Sequence, residues 1–339
     1  MILIDAIYIH SHGGKTILDS FISAVEKNPN SEINNFHFLI DDRLDLSLIQ
    51  GKKNYSYERV NASHFNRQSA YQRNINIIDK IVCLANIPPP INSTKKVYIY
   101  FHNLLLLDNK MRFVSFFHFI LNKIKLSYIK FYNKSSYNWI VQTGFMKDKL
   151  SKKLNINKES IDVIPFYNDD DIIFTKKDFS SKSINFLCVT SNARHKNLKN
   201  LVTSFINAKL DSKKKFSLFI TTSGNNFIKE NKKIIYLNYI NREEMLRYYS
   251  KSHFIVLPSL IESFGLPIVE GIKSGSNVLI SNIDSLKEIC TPSISFNPLN
   301  IKDLISALEK AASLSYEKNS LLTIKNEINN FIDIINRDV

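Results

Sequence analysis

The sequence predicts an α/β protein built of two doubly wound domains facing a central cleft. Three observations carry this reading. The chain has 339 residues, more than the roughly 250 to 300 at which a single core stops growing. Short apolar runs alternate with stretches of helical periodicity, the sign of parallel strands joined by helices. That alternation lapses once, in a Lys/Ser-rich stretch near the middle of the chain, and then begins again. With 44% hydrophobic and 22% charged residues, both halves can bury a core.

In the first half, strands are expected at residues 2–9, 36–40, 80–84, 97–101, 139–142 and 161–164. The first helix follows Gly14, with Ile17, Leu18, Phe21, Ile22 and Val25 on one face at spacings of three and four. The run of Asn168, Asp169, Asp170 and Asp171 follows Pro165 and leads into the Lys/Ser-rich connection. The domain boundaries are therefore read as 1–168 and 169–320, with 321–339 a terminal helix that packs back across the first domain.

The second half supplies strands at 184–190, 216–221, 233–237, 253–257, 277–281 and 293–296. Helices are expected at 198–209 and 241–250, and starting at Pro267, Asp284 and Ile301. Residues 321–335 carry apolar side chains at helical spacing and read as one helix.

Composition excludes several classes. The opening MILIDAIYIH holds an acid and no Lys or Arg, so it reads as a strand and not as a secretory leader. No apolar run approaches the ~20 residues of a spanning helix. Cys83, Cys188 and Cys290 lie far apart without a CxxC pair, which fits a reducing cytoplasm. The formal net charge is +14, and much of it sits in residues 110–153. Nine Lys and Arg112 face only Asp148 there. The same stretch carries Phe113, Phe116, Phe117, Ile120, Leu121, Ile124, Tyr128 and Phe131 at helical spacing. Such a helix suits two roles, resting on an anionic membrane or facing the core with a solvated side. Nucleic acid is not expected as a partner, since no recognised binding motif accompanies the charge.

The chemistry concentrates in residues 257–271. A buried strand ends at Pro258, a loop carries Glu262, and Pro267 stands where a helix begins, so the amides of Gly265 and Leu266 point toward an anion site. Glu262 and Glu270 can accept from the paired hydroxyls of a sugar or ribose. The run Pro-Ser-x-x-Glu-Ser-Phe-Gly-Leu-Pro-x-x-Glu-Gly closely resembles the signature of retaining glycosyltransferase family 4, the glycosyl transferases group 1, whose fold is the Rossmann-like two-domain GT-B. The resemblance extends through Gly275, Val278, Ser281, Glu288 and Phe296-Asn297-Pro298, and covers most of residues 184–310. It implies that Glu262 lies beside the transferred sugar. It implies further that Ser263, Phe264, Gly265 and Leu266 hold the sugar and diphosphate through backbone amides, and that Glu270 binds the ribose.

The segment Ser191-Asn192-Ala193-Arg194-His195-Lys196-Asn197 is similar to the family's Arg…Lys-Asn element. Lys196 matches its phosphate-binding Lys. The usual Gly-Arg after the strand reads Thr190-Ser191 here, and Arg194 is the candidate replacement. In the first domain, Gly13 and Gly14 follow the first strand and resemble the family's glycine-bearing loop near acceptor and phosphates. Lys15-Thr16 is no Walker motif, because position 9 is Ile. His102 ends a strand where the family places a His facing the transferred sugar, although a lone His there also serves as a structural hydrogen bonder. Thr143 is expected to line the cleft.

These residues imply a retaining, metal-independent transferase with Glu262, Lys196 and His102 at the reaction centre. The donor would be a nucleotide-sugar, and the acceptor a glycan or lipid-linked molecule of surface polysaccharide assembly. No cofactor and no metal are expected. Asp41-Asp42 and Asp169–Asp171 are set aside as cation sites because they lie after a strand and in a connection. The expected location is the cytoplasm, at the inner face of the membrane. The competing readings are a sugar-nucleotide-binding subunit without turnover and an epimerase on the same fold.

Overall fold

The computed structural model describes residues 1–10, 12–28, 35–45, 55–108, 113–168, 170–210, 213–223, 233–313 and 319–337. It divides into two compact units, one of residues 1–107, 121–168 and 325–339, the other of 108–120 and 169–324.

The first unit orders β1 (Ile2–Ala6), α1 (His12–Lys27), β2 (Phe36–Asp41), β3 (Tyr55–Val60), α2 (His64–Asn74), β4 (Lys80–Cys83), β5 (Lys96–Phe101) and α3 (Leu104–Leu107). After α4 (Phe116–Tyr132), through which the division between units runs, come β6 (Asn138–Val141), α5 (Gly144–Leu154) and β7 (Ile161–Val163). The sheet order is β3-β2-β1-β4-β5-β6-β7, and neighbouring strands pair in parallel. Such a sheet is covered on both faces, so its central strands are mostly apolar. All five residues of β1 are buried.

One of them is Asp5. An isolated carboxylate there would be untenable, and the cation is the equally buried Arg67, whose Nη2 lies 2.6 Å from Asp5 Oδ2. Tyr71 Oη donates to the same oxygen at 2.6 Å. Burial, with the Asp5 charge adding, pushes the neighbouring Cys83 thiol up to about 12. All three cysteines are buried free thiols.

The second unit orders β8 (Ser183–Cys188), α6 (Leu198–Asn207), β9 (Lys215–Ile220), β10 (Ile234–Tyr236), α7 (Arg242–Lys251), β11 (Phe254–Leu257), α8 (Leu266–Lys273) and β12 (Asn277–Ser281). Then follow β13 (Cys290–Thr291), β14 (Ile294–Phe296), α9 (Ile301–Ala312) and β15 (Leu321–Leu322). The main sheet runs β10-β9-β8-β11-β12-β14, again with parallel pairs. The predicted doubly wound class is thus observed in both units.

Several elements depart from expectation. β1 stops at Ala6 because the chain turns there: Ile9 N donates to Ala6 O at 3.0 Å and Tyr8 takes φ 78°. The helix expected from Asp284 is a single 3-10 turn, Asp284–Leu286. The single helix expected over 321–335 is instead β15, antiparallel to β13, followed by α10 (Ile328–Asn336). Phe331, Ile332 and Ile335 of α10 are fully buried in the core of the first unit. Phe331 stacks on Phe166 at 5.7 Å and on Tyr100 at 6.0 Å between ring centroids. The buried Lys80 donates to the Ile335 carbonyl at 2.7 Å, a cation on the negative end of the helix.

Among the described residues no helix is long and apolar enough to cross a membrane.

Candidate active site

In the second unit the strand order reverses between β8 and β11. Open parallel sheets bind ligands outside the carboxyl ends of their strands at such a switch point. The loop leaving β8 carries Lys196 at the end of a 3-10 turn, Arg194–Lys196. The loop leaving β11 carries Glu262.

Backbone and amide contacts fasten the two loops together. Asn197 takes the left-handed conformation, φ 56°, which Asn tolerates better than most residues. Its Nδ2 donates to Pro258 O at 3.1 Å and to Pro298 O at 2.8 Å. Leu260 N donates to His195 O at 2.7 Å. Lys196 Nζ then donates to Glu262 Oε2 at 2.7 Å, and the buried Ser259 Oγ donates to the same oxygen at 3.1 Å. Lys196 and Glu262 side chains are 20% and 14% exposed, open enough to meet a ligand and sheltered enough to gain from the pairing. Beside them, burial, with the charge of Lys196 adding, holds the His195 imidazole below its ordinary pKa.

Gly265 caps α8 at φ 74°, a region that costs a side-chain-bearing residue about 1 kcal/mol or more. A Cβ there would also stand 3.0 Å from Ile268 Cδ1 and 3.2 Å from Leu286 Cδ2. Only Gly fits, and it aims the first turn of α8, with Leu266 in it, at the carboxyl edge of the sheet. Phe264, just before that turn, is buried. Ser263 lies in the same loop, between Glu262 and Phe264.

Glu270 lies in α8, and its carboxylate pairs with Arg242 in the first turn of α7. Asn241 and Glu244 fix that turn through a reciprocal capping box. Arg242 also forks onto Asp171, with Nε to Oδ2 at 2.9 Å and Nη2 to Oδ1 at 2.8 Å. Burial pushes the Glu270 carboxyl above its usual range, and Arg242 opposes that shift. Asp171 is held below its usual range by Arg242. Sequence reasoning missed Arg242 altogether, since nothing in a helix N-terminus 28 residues from Glu270 announces the pairing. Arg194 is exposed, and its guanidinium forms no ion pair among the described residues. Thr190, where the family's Gly-Arg would start, is held by Thr221, whose Oγ1 accepts from Thr190 N at 3.0 Å.

In the first unit the switch point lies between β1 and β4. Gly13 and Gly14 occupy the first turn of α1 and not a loop before it. A Cβ on Gly13 would meet nothing within 4 Å, so its backbone is open to close approach. Lys15 Nζ pairs with Asp19 Oδ2 at 2.6 Å. After β4 comes Asn86 at φ 69°, which clamps His102 after β5. Asn86 Oδ1 accepts from His102 N at 2.6 Å, and Asn86 Nδ2 contacts His102 Nε2 at 2.8 Å. With the amide oxygen fixed by the backbone N–H, Nδ2 must donate and Nε2 must accept, so the imidazole is neutral. Burial agrees, pushing the His102 pKa down to about 4. Thr143 is buried as the cap of α5, its hydroxyl accepting from Met146 N at 3.2 Å. Asp41 is engaged by Arg43 through Nε and Nη2, both at 2.7 Å. Asp169, Lys110 and Arg112 lie outside the described residues.

Known proteins resemble this chain in sequence and fold. Residues 169–323 match the family described as Glycosyl transferases group 1. The O-antigen chain mannosyltransferase RfbU of Salmonella typhimurium is 28% identical over 183 residues, 50% of this chain and 49% of that protein. The aligned part thus spans about half the length of that relative. Among solved structures, WaaG, a glycosyltransferase involved in lipopolysaccharide biosynthesis, superposes with a TM-score of 0.70 at 11% identity, covering 92% of this chain and 90% of WaaG. Anabaena HepE, in complex with UDP and glucose, gives 0.67 at 11% identity over 100% and 99%. At those identities the likeness is one of fold, and it takes in both α/β units. The chain has the GT-B fold, and residues 169–323, most of its second unit, are similar to the glycosyl transferases group 1 family.

Proposed function

We propose that the protein is a retaining glycosyltransferase that moves a sugar from a nucleotide-sugar donor to a glycan or lipid-linked acceptor of bacterial surface polysaccharide assembly. O-antigen, capsule and lipopolysaccharide are the candidate products, and the work is done at the inner face of the cytoplasmic membrane. The observation that carries this reading is the Lys196–Glu262 pair at the switch point of the second sheet, beside the first turn of α8.

Donor binding offers Lys196 a better anion than Glu262. The diphosphate takes the ammonium and the α8 amides, and Glu262 turns to the sugar hydroxyls. As the bond from C1 to the diphosphate oxygen breaks, charge grows on that oxygen, where fixed cations and amides lower the barrier. The acceptor oxygen bonds to C1 on the face the diphosphate leaves, and its proton passes to the departing phosphate. No step requires a metal. Arg194 supplies a second cation, Glu270, paired with Arg242, receives the ribose, and Gly13, whose backbone is open to close approach, is assigned to the phosphates together with Gly14. His102, neutral and fixed by Asn86, meets the transferred sugar as an uncharged polar ring.

The test is a thermal-shift series with UDP, GDP, ADP and their sugar conjugates, with EDTA present, on wild type and Lys196→Ala. A ligand of the folded state must raise the melting temperature. A shift for one nucleotide, weakened in the variant, followed by transfer with the donor's anomeric configuration kept, supports the reading. Turnover of the donor without acceptor would favour an epimerase, and binding without turnover a non-catalytic subunit.

A further inference from the structure

Helix α4 is inside out. An ordinary surface helix turns its apolar stripe to the core. In α4, Phe116, Phe117, Ile120, Ile124 and Phe131 are 66, 68, 39, 61 and 80% exposed. At about 100° per residue they fall within an arc of about 100°. Ile129, the one buried residue of the helix, lies on the opposite side. Lys123 and Lys130 are exposed within about 40° of the edge of the stripe, Lys125 is exposed farther round, and the helix holds no acidic residue.

We infer that α4 docks on an anionic lipid bilayer, with its aromatic stripe sunk into the interface and its lysines at the level of the head groups. Five large apolar side chains in one arc form a patch that a solvated surface rarely tolerates. A bilayer interface removes them from water at about 25 cal/mol per Å², and lysines beside them add attraction to anionic lipid. The helix is also braced from beneath. The His64 ring of α2 contacts Tyr128 and Tyr132 at 5.5 and 5.9 Å. Self-association fits less well, because a two-fold contact sets each patch against its own copy and would bring the lysines of both helices together.

This deepens the acceptor reading above and rests on it for its purpose, since a lipid-linked acceptor lies in that interface. The experiment is flotation with phosphatidylcholine vesicles with and without phosphatidylglycerol, at low and high salt. Wild type is compared with a Phe117→Ser/Ile124→Ser/Phe131→Ser variant and with Lys123→Glu/Lys130→Glu, and sedimentation velocity gives the mass of each. Wild type is expected on the anionic vesicles, with at least tenfold weaker binding in both variants and the salt dependence reduced in the lysine variant. All the changed residues are exposed, so unchanged melting temperatures are expected. No binding of wild type to anionic vesicles, or equal binding by the Ser variant, overturns the proposal, as does a wild-type dimer that the Ser variant dissolves. The nucleotide thermal shift, measured on the same samples, separates the two ideas. If it is absent in wild type, the transferase reading fails whatever the vesicles show.

Discussion

Lys196 Nζ and Glu262 Oε2 meet at 2.7 Å although 66 residues separate them. Each holds the other in place until a ligand arrives. Lys196→Ala leaves a half-buried carboxylate without its cation. We expect a loss of stability of about 1 to 3 kcal/mol, and the further change Glu262→Gln to restore part of it. Urea unfolding of the two single variants and the double variant measures the coupling. A coupling near zero would show the pair to be incidental.

For catalysis, Lys196→Ala is expected to lower the transfer rate by about a hundredfold to a thousandfold, the usual effect of removing one group that stabilises developing charge. Glu262→Gln keeps the shape but weakens acceptance from hydroxyls, so its loss should appear in kcat more than in nucleotide affinity. Steady-state kinetics together with isothermal titration of the free nucleotide would separate the two.

His102 makes stability depend on pH. Its folded pKa is depressed to about 4, below the unfolded value of about 6.5. Between those values the unfolded chain binds more protons, so stability is fully present above about pH 6.5 and falls as pH drops toward 4. The full span is at most about 3 kcal/mol. Wild type should therefore lose more stability than His102→Gln between neutral pH and pH 4.5. Parallel curves for the two proteins would remove His102 as the cause.

Arg242 compensates a buried carboxylate. Removing it as Arg242→Ala leaves Glu270 charged and unpaired, at a cost of about 3 kcal/mol at neutral pH. Burial already raises the Glu270 pKa, so the penalty belongs to the ionised form. It should grow as pH rises above about 4.5 and shrink on acidification. Arg242→Ala/Glu270→Gln should recover most of the loss. A pH-independent deficit would point to lost packing instead.

Gly265→Ala forces a side chain into the left-handed region and against Ile268 and Leu286. We expect destabilisation of about 1 to 3 kcal/mol and weaker nucleotide binding, because the first turn of α8 must shift. An unaltered nucleotide thermal shift would argue against a role for that turn.

The parallel strands were legible because strands buried on both faces appear as apolar runs, as in Phe254–Leu257 and in Val278, Leu279 and Ile280 of β12. β3 escaped, since its YSYERV lies at the sheet edge and shows mixed burial. α2 escaped for a different reason: it buries Arg67, Tyr71 and Asn74 with Ala70, a polar set that shows no hydrophobic period. The break between β15 and α10 was hidden because Leu321 and Leu322 fit a helical stripe equally well. Only their pairing with Cys290 and Thr291 makes them a strand. At the site, the loop from Glu262 to Leu266 could be read from turn and cap chemistry. Arg242 and Asn86 could not, because their roles arise from neighbours brought together by the fold.

The burial of α10 in the first unit has a consequence for synthesis. The ribosome releases β1 long before α10, and the core around Phe21, Tyr100 and Phe166 lacks Phe331 until that helix has emerged. Lys80 likewise waits 255 residues for the carbonyl it binds. Domains usually mature in the order in which they are translated. Here the second unit, complete by residue 324, can close its core before the first unit, which begins earlier in the chain but waits for α10.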